Sequence, residues 1–138
     1  MERLYTTRAT VTGGRDGRAT TPEGVLDVPL ATPKELGGAG GPGTNPEQLF
    51  AAGYAACFLS AVGAVGRRDK VNARDGTVTA DVHLLKESDW AYHLAVDLHV
   101  ALPHIDREAA EDLVAKAYEI CTFSRAIRGN VEVHLLVE

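Results

Sequence analysis

A chain of 138 residues, 45% hydrophobic and 24% charged, has the make-up of one ordinary globular domain that can bury a core without staples. A formal net charge of −5 excludes an electrostatic nucleic-acid footprint, and two cysteines exclude a disulfide scaffold of the secreted kind. The first ten residues carry no apolar signal segment. The longest apolar run, broken by Gly53, Ser60 and Gly63, reads as helical and short for a membrane span, so a soluble cytoplasmic protein with no membrane partner is expected.

Residues 3–12, RLYTTRATVT, alternate and are rich in Thr, Tyr and Val, which predicts a strand. GGRDG at 13–17 signals a turn, and RATT and VLDVPL follow as short strands, Pro29 placing the second at an edge or at its own end. The stretch GGAGGPGTNP at 37–46 lacks the Lys-Ser/Thr of a phosphate-binding loop, so no nucleotide site is expected; it reads as a flexible cover at a subunit junction. Asn45 then supplies an N-cap, Pro46 the first helical position and Gln48 the far member of a capping box. Glu47 falls in the first turn, where the helix dipole favours a carboxylate. This helix is expected to run to about Arg68 and, being apolar nearly all round, to be buried on most sides.

TVTADVHLL at 77–85 and YHLAVDLHVAL at 92–102 are alternating strands, with KESDWA as the hairpin loop between them. Their inward set is Val78, Ala80, Val82 and Leu84 on one and Leu94, Val96, Leu98 and Val100 on the other. A second helix in DREAAEDLVAKAYEIC, capped by Asp106, gathers Ala110, Leu113, Val114, Ala117 and Cys121 on one face, and VEVHLLVE closes the chain as a strand. The order βββ-α-ββ-α-β predicts an α+β fold with a mainly antiparallel sheet and two main helices, as a single domain over residues 1–138.

Cys57 stands in the middle of the most apolar segment, AAGYAACFLSAVGAVG. Taken alone, Cys57 and Cys121 each read as a small hydrophobe before a reactive thiol. They do not form a Cys-x-x-Cys pair, but each is expected on a helix that packs against the same sheet. A reactive thiol must ionise, and apolar surroundings oppose that, so a cation must be near. Arg3, Arg8, Arg15, Arg18 and the arginines after Cys121 are the candidates, with Glu47 the acid on the first helix to hold one of them. His83, His99 and His134 take outward strand positions near Asp81 and Asp97; a solvated sheet face is the stronger reading there than a metal patch, and no metal is expected. Asp16 and Asp75 read as turn residues.

The segments TGGRDGR, LATPKELGGAG, GTNPEQLFAAGYAACF and, more loosely, ICTFSRAIRGN resemble, in order and over nearly the whole chain, the organic hydroperoxide resistance (Ohr) branch of the OsmC/Ohr family. The resemblance implies an intertwined homodimer acting as a thiol peroxidase, with Cys57 as peroxidatic and Cys121 as resolving cysteine. It implies that Arg15 activates the thiolate and that Glu47 orients Arg15. Where the family commonly has Cys-Pro-Tyr-Ser, this chain has Cys121-Thr122-Phe123-Ser124, so the turn differs and a phenol hydroxyl is lost. Phe50, Tyr54, Phe58 and Phe123 are candidates for the wall of a pocket for organic hydroperoxides, membership of the core being the equal alternative. No cofactor is bound; the implied reductant is an external dithiol, dihydrolipoamide or a lipoylated protein. The same cysteine pair would also suit a noncatalytic carrier of an apolar ligand or a redox sensor.

Glu47 and Cys57 are ten residues apart on one predicted helix, about 15 Å along its axis and on different faces. An arginine touching Glu47 can hardly touch Cys57 of the same straight helix. The expectation is therefore that Arg15 and Glu47 of one chain serve Cys57 of the other, two helices packing through Ala51, Ala52, Ala55 and Ala56.

Overall fold

The computed structural model describes residues 1–138 as two compact units, residues 1–49 and residues 50–138. The α+β character and element order follow the sequence pattern.

In the first unit, β1 (Thr10–Thr12), β2 (Arg18–Thr20) and β3 (Asp27–Pro29) form an antiparallel sheet in the order β1-β2-β3. Pro29 is tolerated because β3 is an edge strand and ends there. The β1–β2 connection is a 3-10 turn at Gly14–Asp16 entered through Gly13 at φ 72°, a left-handed conformation that favours glycine. The Asp16 carboxylate accepts the Thr32 N–H at 2.9 Å, a bond that lowers its pKa. The strand expected from residue 3 begins only at Thr10; residues 3–9 lie outside any ladder, with Leu4 and Tyr5 exposed. Alternation marks a segment able to be a strand, but a strand also needs an edge to receive its N–H and C=O groups. The Gly-rich stretch is anchored at its end, where Thr44 donates to the Pro29 carbonyl and accepts from the Ala31 N–H, each at 2.9 Å.

The helix α1 (Pro46–Asp69) starts at the expected cap: Asn45 Oδ1 accepts the Gln48 N–H at 2.8 Å. The box does not close, because the Gln48 side chain accepts from the Thr44 hydroxyl instead. With 24 residues and a mean hydropathy of 1.8 over its most apolar stretch, α1 is long and apolar enough to cross a membrane, contrary to the expectation of a short run. Much of its apolar face is already committed: Tyr54, Phe58, Val62 and Val65 belong to the core of the second unit. Nor is α1 buried on most sides. Ala52, Ala56 and Ser60 are exposed, a stripe whose small side chains count as apolar in the sequence yet offer little surface to bury.

The second unit places β4 (Thr77–Ser88), β5 (Ala91–Ala101) and β6 (Glu132–Val137) in one sheet, β4 antiparallel and β6 parallel to β5. The parallel pair follows from the crossover through α2 (Arg107–Ile120) and α3 (Thr122–Ile127). Asp106 caps α2, its carboxylate accepting the Ala109 N–H at 2.8 Å. Of the expected inward positions, Val96, Leu98 and Val100 are buried without exposure in one core with Ala110, Leu113, Val114 and Ala117 of α2, and Val78, Ala80 and Val82 pack against it, whereas Leu84 and Leu94, nearer the hairpin end, lie outside it. KESDWA is not a loop: the ladder continues through Lys86 and Ser88, across a bulge, and the chain turns at Asp89 and Trp90. The end of this hairpin is exposed on both faces, so hydrophobic periodicity carries no sign of it, while the backbone bonds still extend the strands. Cys121 is not the last residue of α2 but the joint between α2 and α3, at ψ 123°.

The outward face of this sheet is a lattice of ion pairs. Asp97 sits 3.0 Å from His83 Nε2 and 2.9 Å from His134 Nδ1, and His134 Nε2 lies 2.9 Å from Glu132. His99 bridges Asp81 and Glu138. Hydrogen bonds from His83 and His134 lower the pKa of Asp97; bonds to Asp97 and Glu132 raise that of His134 above the usual 6.5. The raised His134 contributes stability that is full below 6.5 and lost as pH rises through its folded value; the lowered Asp97 contributes stability that is full above 3.8 and lost as pH falls through its folded value. Asp97→Asn should therefore lower the melting temperature between those limits, by about two degrees or less at so exposed a site. Thermal melts of both proteins across pH should show the gap narrowing as pH rises above 6.5 and through the raised value of His134.

Candidate active site

Cys57 lies on α1 between the core side chains Tyr54 and Phe58, so its thiol is carried to the margin of the buried face and is half-buried. Cys121, at the α2–α3 joint, is 1% exposed. The two are free thiols with Sγ atoms 3.7 Å apart. A disulfide bond of about 2.05 Å is within reach of a small local shift. Burial pushes the Cys57 thiol up in pKa; the backbone N–H groups of Phe123 and Thr122 pull it down, and the neighbouring Cys121 thiol raises it again, the net direction being upward.

An aromatic cluster centred on Tyr54 is carried by the same two segments as the pair. Phe50 meets Tyr54 edge-on at 5.9 Å between centroids, and Phe123 lies 6.1 Å from Tyr54 and 6.4 Å from Phe50. Tyr54 and Phe58 are fully buried, whereas Phe50 and Phe123 keep surface that a ligand could touch. The Phe123 ring covers Gly53, one turn before Cys57; a Cβ there would stand 3.3 Å from the ring, so the glycine admits the close approach. Tyr54 Oη and Ser124 Oγ are 2.6 Å apart, both completely buried, in a hydrogen bond that either hydroxyl can donate. Burial pushes the Tyr54 phenol up to about 12, against a smaller lowering by the Ser124 bond. Ser124 was not among the residues expected from sequence. Its signals are its place as the serine of the Cys-x-x-Ser run and its spacing, three residues after Cys121, which matches the spacing of Tyr54 and Cys57.

Arg15 and Glu47 form the second pair, within the first unit. The 3-10 turn presents Arg15 and the first turn of α1 presents Glu47, joined by two bonds, Nη1 to Oε2 at 2.8 Å and Nη2 to Oε1 at 2.6 Å. Their side chains are 36% and 19% exposed. The bond to Glu47 raises the Arg15 pKa, and the bond from Arg15 lowers that of Glu47. Two parallel bonds fix the plane of a guanidinium as one bond would not, leaving its remaining N–H groups aimed in a set direction. Two other candidate arginines are engaged elsewhere, Arg18 with Asp27 and Arg128 with Glu119 and the Tyr118 carbonyl and ring.

Residues 37–135 match the family model described as OsmC-like protein. The chain is 49% identical over 133 residues to the organic hydroperoxide resistance protein of Xanthomonas axonopodis pv. citri, covering 96% of this chain and 93% of that one. It is 44% identical over 133 residues to the organic hydroperoxide resistance protein OhrB of Bacillus subtilis, covering 96% of each. Among solved structures, an organic hydroperoxide resistance protein from Legionella pneumophila superimposes with a TM-score of 0.94 at 49% identity over 99% of both chains. The crystal structure of OhrB of Bacillus subtilis gives 0.90 at 43% identity over 99% of this chain and 100% of that one. This chain belongs to the OsmC family and, within it, to the organic hydroperoxide resistance branch.

Proposed function

We propose that this chain is a cysteine-based peroxidase that detoxifies organic hydroperoxides by reducing them to alcohols. The observation that carries the reading is the pair of free thiols 3.7 Å apart, one half-buried and one buried, beside a cluster of aromatic rings. The names of the related proteins supply the substrate class.

The Cys57 thiolate attacks one peroxide oxygen. An S–O bond forms, the O–O bond breaks, and the alkoxide leaves to be protonated as the alcohol. Cys57 is then a sulfenic acid, which the Cys121 thiol attacks; a disulfide forms and water leaves. An external dithiol, of dihydrolipoyl type, returns both cysteines to thiols by two exchange steps and becomes a disulfide itself. The rings of Phe50 and Phe123 favour a substrate with an apolar body over hydrogen peroxide. No step requires a resident cofactor.

A thiol whose pKa is raised by burial is a poor nucleophile at neutral pH, so the mechanism needs a fixed cation. Arg15, held in plane by Glu47, suits the role: it lowers the thiol pKa and meets charge developing on the leaving oxygen. In a homodimer whose α1 helices pack along the exposed stripe of Ala52, Ala56 and Ser60, Arg15 and Glu47 of one chain serve Cys57 of the other.

Following tert-butyl or cumene hydroperoxide consumption with dihydrolipoamide, against hydrogen peroxide, tests the reading; a carrier or a sensor would not turn over. Cys121→Ser should allow one oxidation of Cys57 but no sustained cycling, with activity at least about tenfold lower, because the sulfenic acid climbs the oxidation ladder when no thiol condenses with it. Mass spectrometry after excess peroxide should find sulfinic or sulfonic acid at Cys57. Normal cycling with Cys57 protected would remove Cys121 from the mechanism.

A further inference from the structure

Two bridges join α1 to the segment after α2, and they run side by side. Cys57 faces Cys121 with sulfurs 3.7 Å apart, and Tyr54 bonds Ser124 at 2.6 Å. On α1, Tyr54 precedes Cys57 by three residues, about 4.5 Å of helix. On the other segment Ser124 follows Cys121 by three. Each cysteine thus has a hydroxyl-bearing neighbour one helical turn away, and the hydroxyls bond to each other.

The segment that carries Cys121 needs such a hold. Its helix α3 has six residues, far too few to be stable by itself. Ser124 is the one residue of α3 that is fully buried, and the Phe123 ring resting on Gly53 remains partly exposed. Ser124 is also the only fully buried polar residue in the chain outside tyrosine and cysteine, and no buried side-chain nitrogen or oxygen is without a partner. A serine in that setting, satisfied by a tyrosine of the helix that bears Cys57, defines where α3 docks; and Cys121 is the N-cap of α3.

We propose that the Tyr54–Ser124 hydrogen bond is a latch that holds Cys121 against Cys57, so that both are positioning residues for disulfide closure. The catalytic consequence rests on the peroxidase reading above. The Cys57 sulfenic acid has two fates: condensation with the Cys121 thiol, releasing water, or attack on a second hydroperoxide, releasing an alcohol and leaving sulfinic acid. The latch sets their ratio by keeping Cys121 near. Tyr54 is not a base in either step, since its phenol, pushed up to about 12, stays neutral at physiological pH.

The full chain is tested as wild type, Tyr54→Phe, and Tyr54→Phe with Ser124→Ala. The double variant removes both polar partners together, which leaves no orphaned buried group, and Tyr54→Phe keeps every ring contact. Each protein is equilibrated in glutathione redox buffers, and the ratio of Cys57–Cys121 disulfide to dithiol gives the effective concentration of one thiol at the other. The double variant should keep a melting temperature close to wild type while its effective concentration falls about fivefold, the factor one ordinary hydrogen bond supplies. Tyr54→Phe should fall in the same direction. With cumene hydroperoxide, sulfinic acid at Cys57 per equivalent consumed should rise by about the same factor. An effective concentration equal to wild type in both variants overturns the latch. Because the glutathione equilibrium uses no peroxide, a shift there with Cys57 inert to hydroperoxide upholds the latch and overturns the peroxidase reading instead.

Discussion

Cys57→Ser is expected to abolish hydroperoxide reduction, lowering the rate about a thousandfold or more while the protein keeps its fold. The replacement is nearly isosteric and Cys57 is only half-buried, so the packing of Tyr54 and Phe58 on either side of it is undisturbed. What is lost is the nucleophile: a serine hydroxyl does not ionise near neutral pH, and an alkoxide gains nothing by attacking a peroxide oxygen. Peroxide consumption with a dithiol measures the first effect and circular dichroism with thermal melting the second. A folded variant with activity near wild type would end the proposed mechanism.

Arg15→Ala should cut the rate about a hundredfold at neutral pH, by removing the charge that in the proposed mechanism keeps the Cys57 thiolate populated. Its remaining activity should climb with pH, since alkali can ionise a thiol that no cation assists. Glu47→Gln should cost less, about tenfold, because the guanidinium keeps its charge and loses only its bidentate anchor. The proposed arrangement across a dimer makes a sharper demand. Cys57→Ser and Arg15→Ala chains, each inactive alone, should together form heterodimers with one complete site, restoring about a quarter of wild-type activity at equal mixing and full exchange. If exchange is verified by mass and no activity returns, Arg15 serves the cysteine of its own chain.

Much of the framework was legible because it rests on local chemistry. Asn45 and Asp106 cap the helices expected of them, since the cap depends on one side chain and an amide three residues on. The inward faces of β4 and β5 follow from strict alternation. The readings that failed depend on what lies across from a segment. Residues 3–9 alternate like a strand but find no edge, and α1 is apolar over most of its length yet leaves Ala52, Ala56 and Ser60 exposed. The helix α3 is too short to show a period and buries a serine, which pattern reading assigns to the surface. Likewise the two cysteines could be named as candidates from residue type and surroundings, but a gap of 3.7 Å between their sulfurs cannot be counted from their positions in the chain.

The unequal burial of those sulfurs sets the order in which they meet the outside world. Cys121 is 1% exposed and Cys57 only half-buried, so anything larger than a small solute arrives at Cys57 first. Thiol–disulfide exchange proceeds by attack on one sulfur and expulsion of the other. Were the pair bonded, an incoming reductant would form its mixed disulfide on Cys57, and Cys121 would depart as the leaving thiolate into a space too confined to meet a second visitor. Under the proposed function, such a site would favour a reductant whose two thiols share one slender arm, the second thiol releasing the first before any bulky neighbour is needed. A broad protein surface bearing a single cysteine would be stopped at the rim.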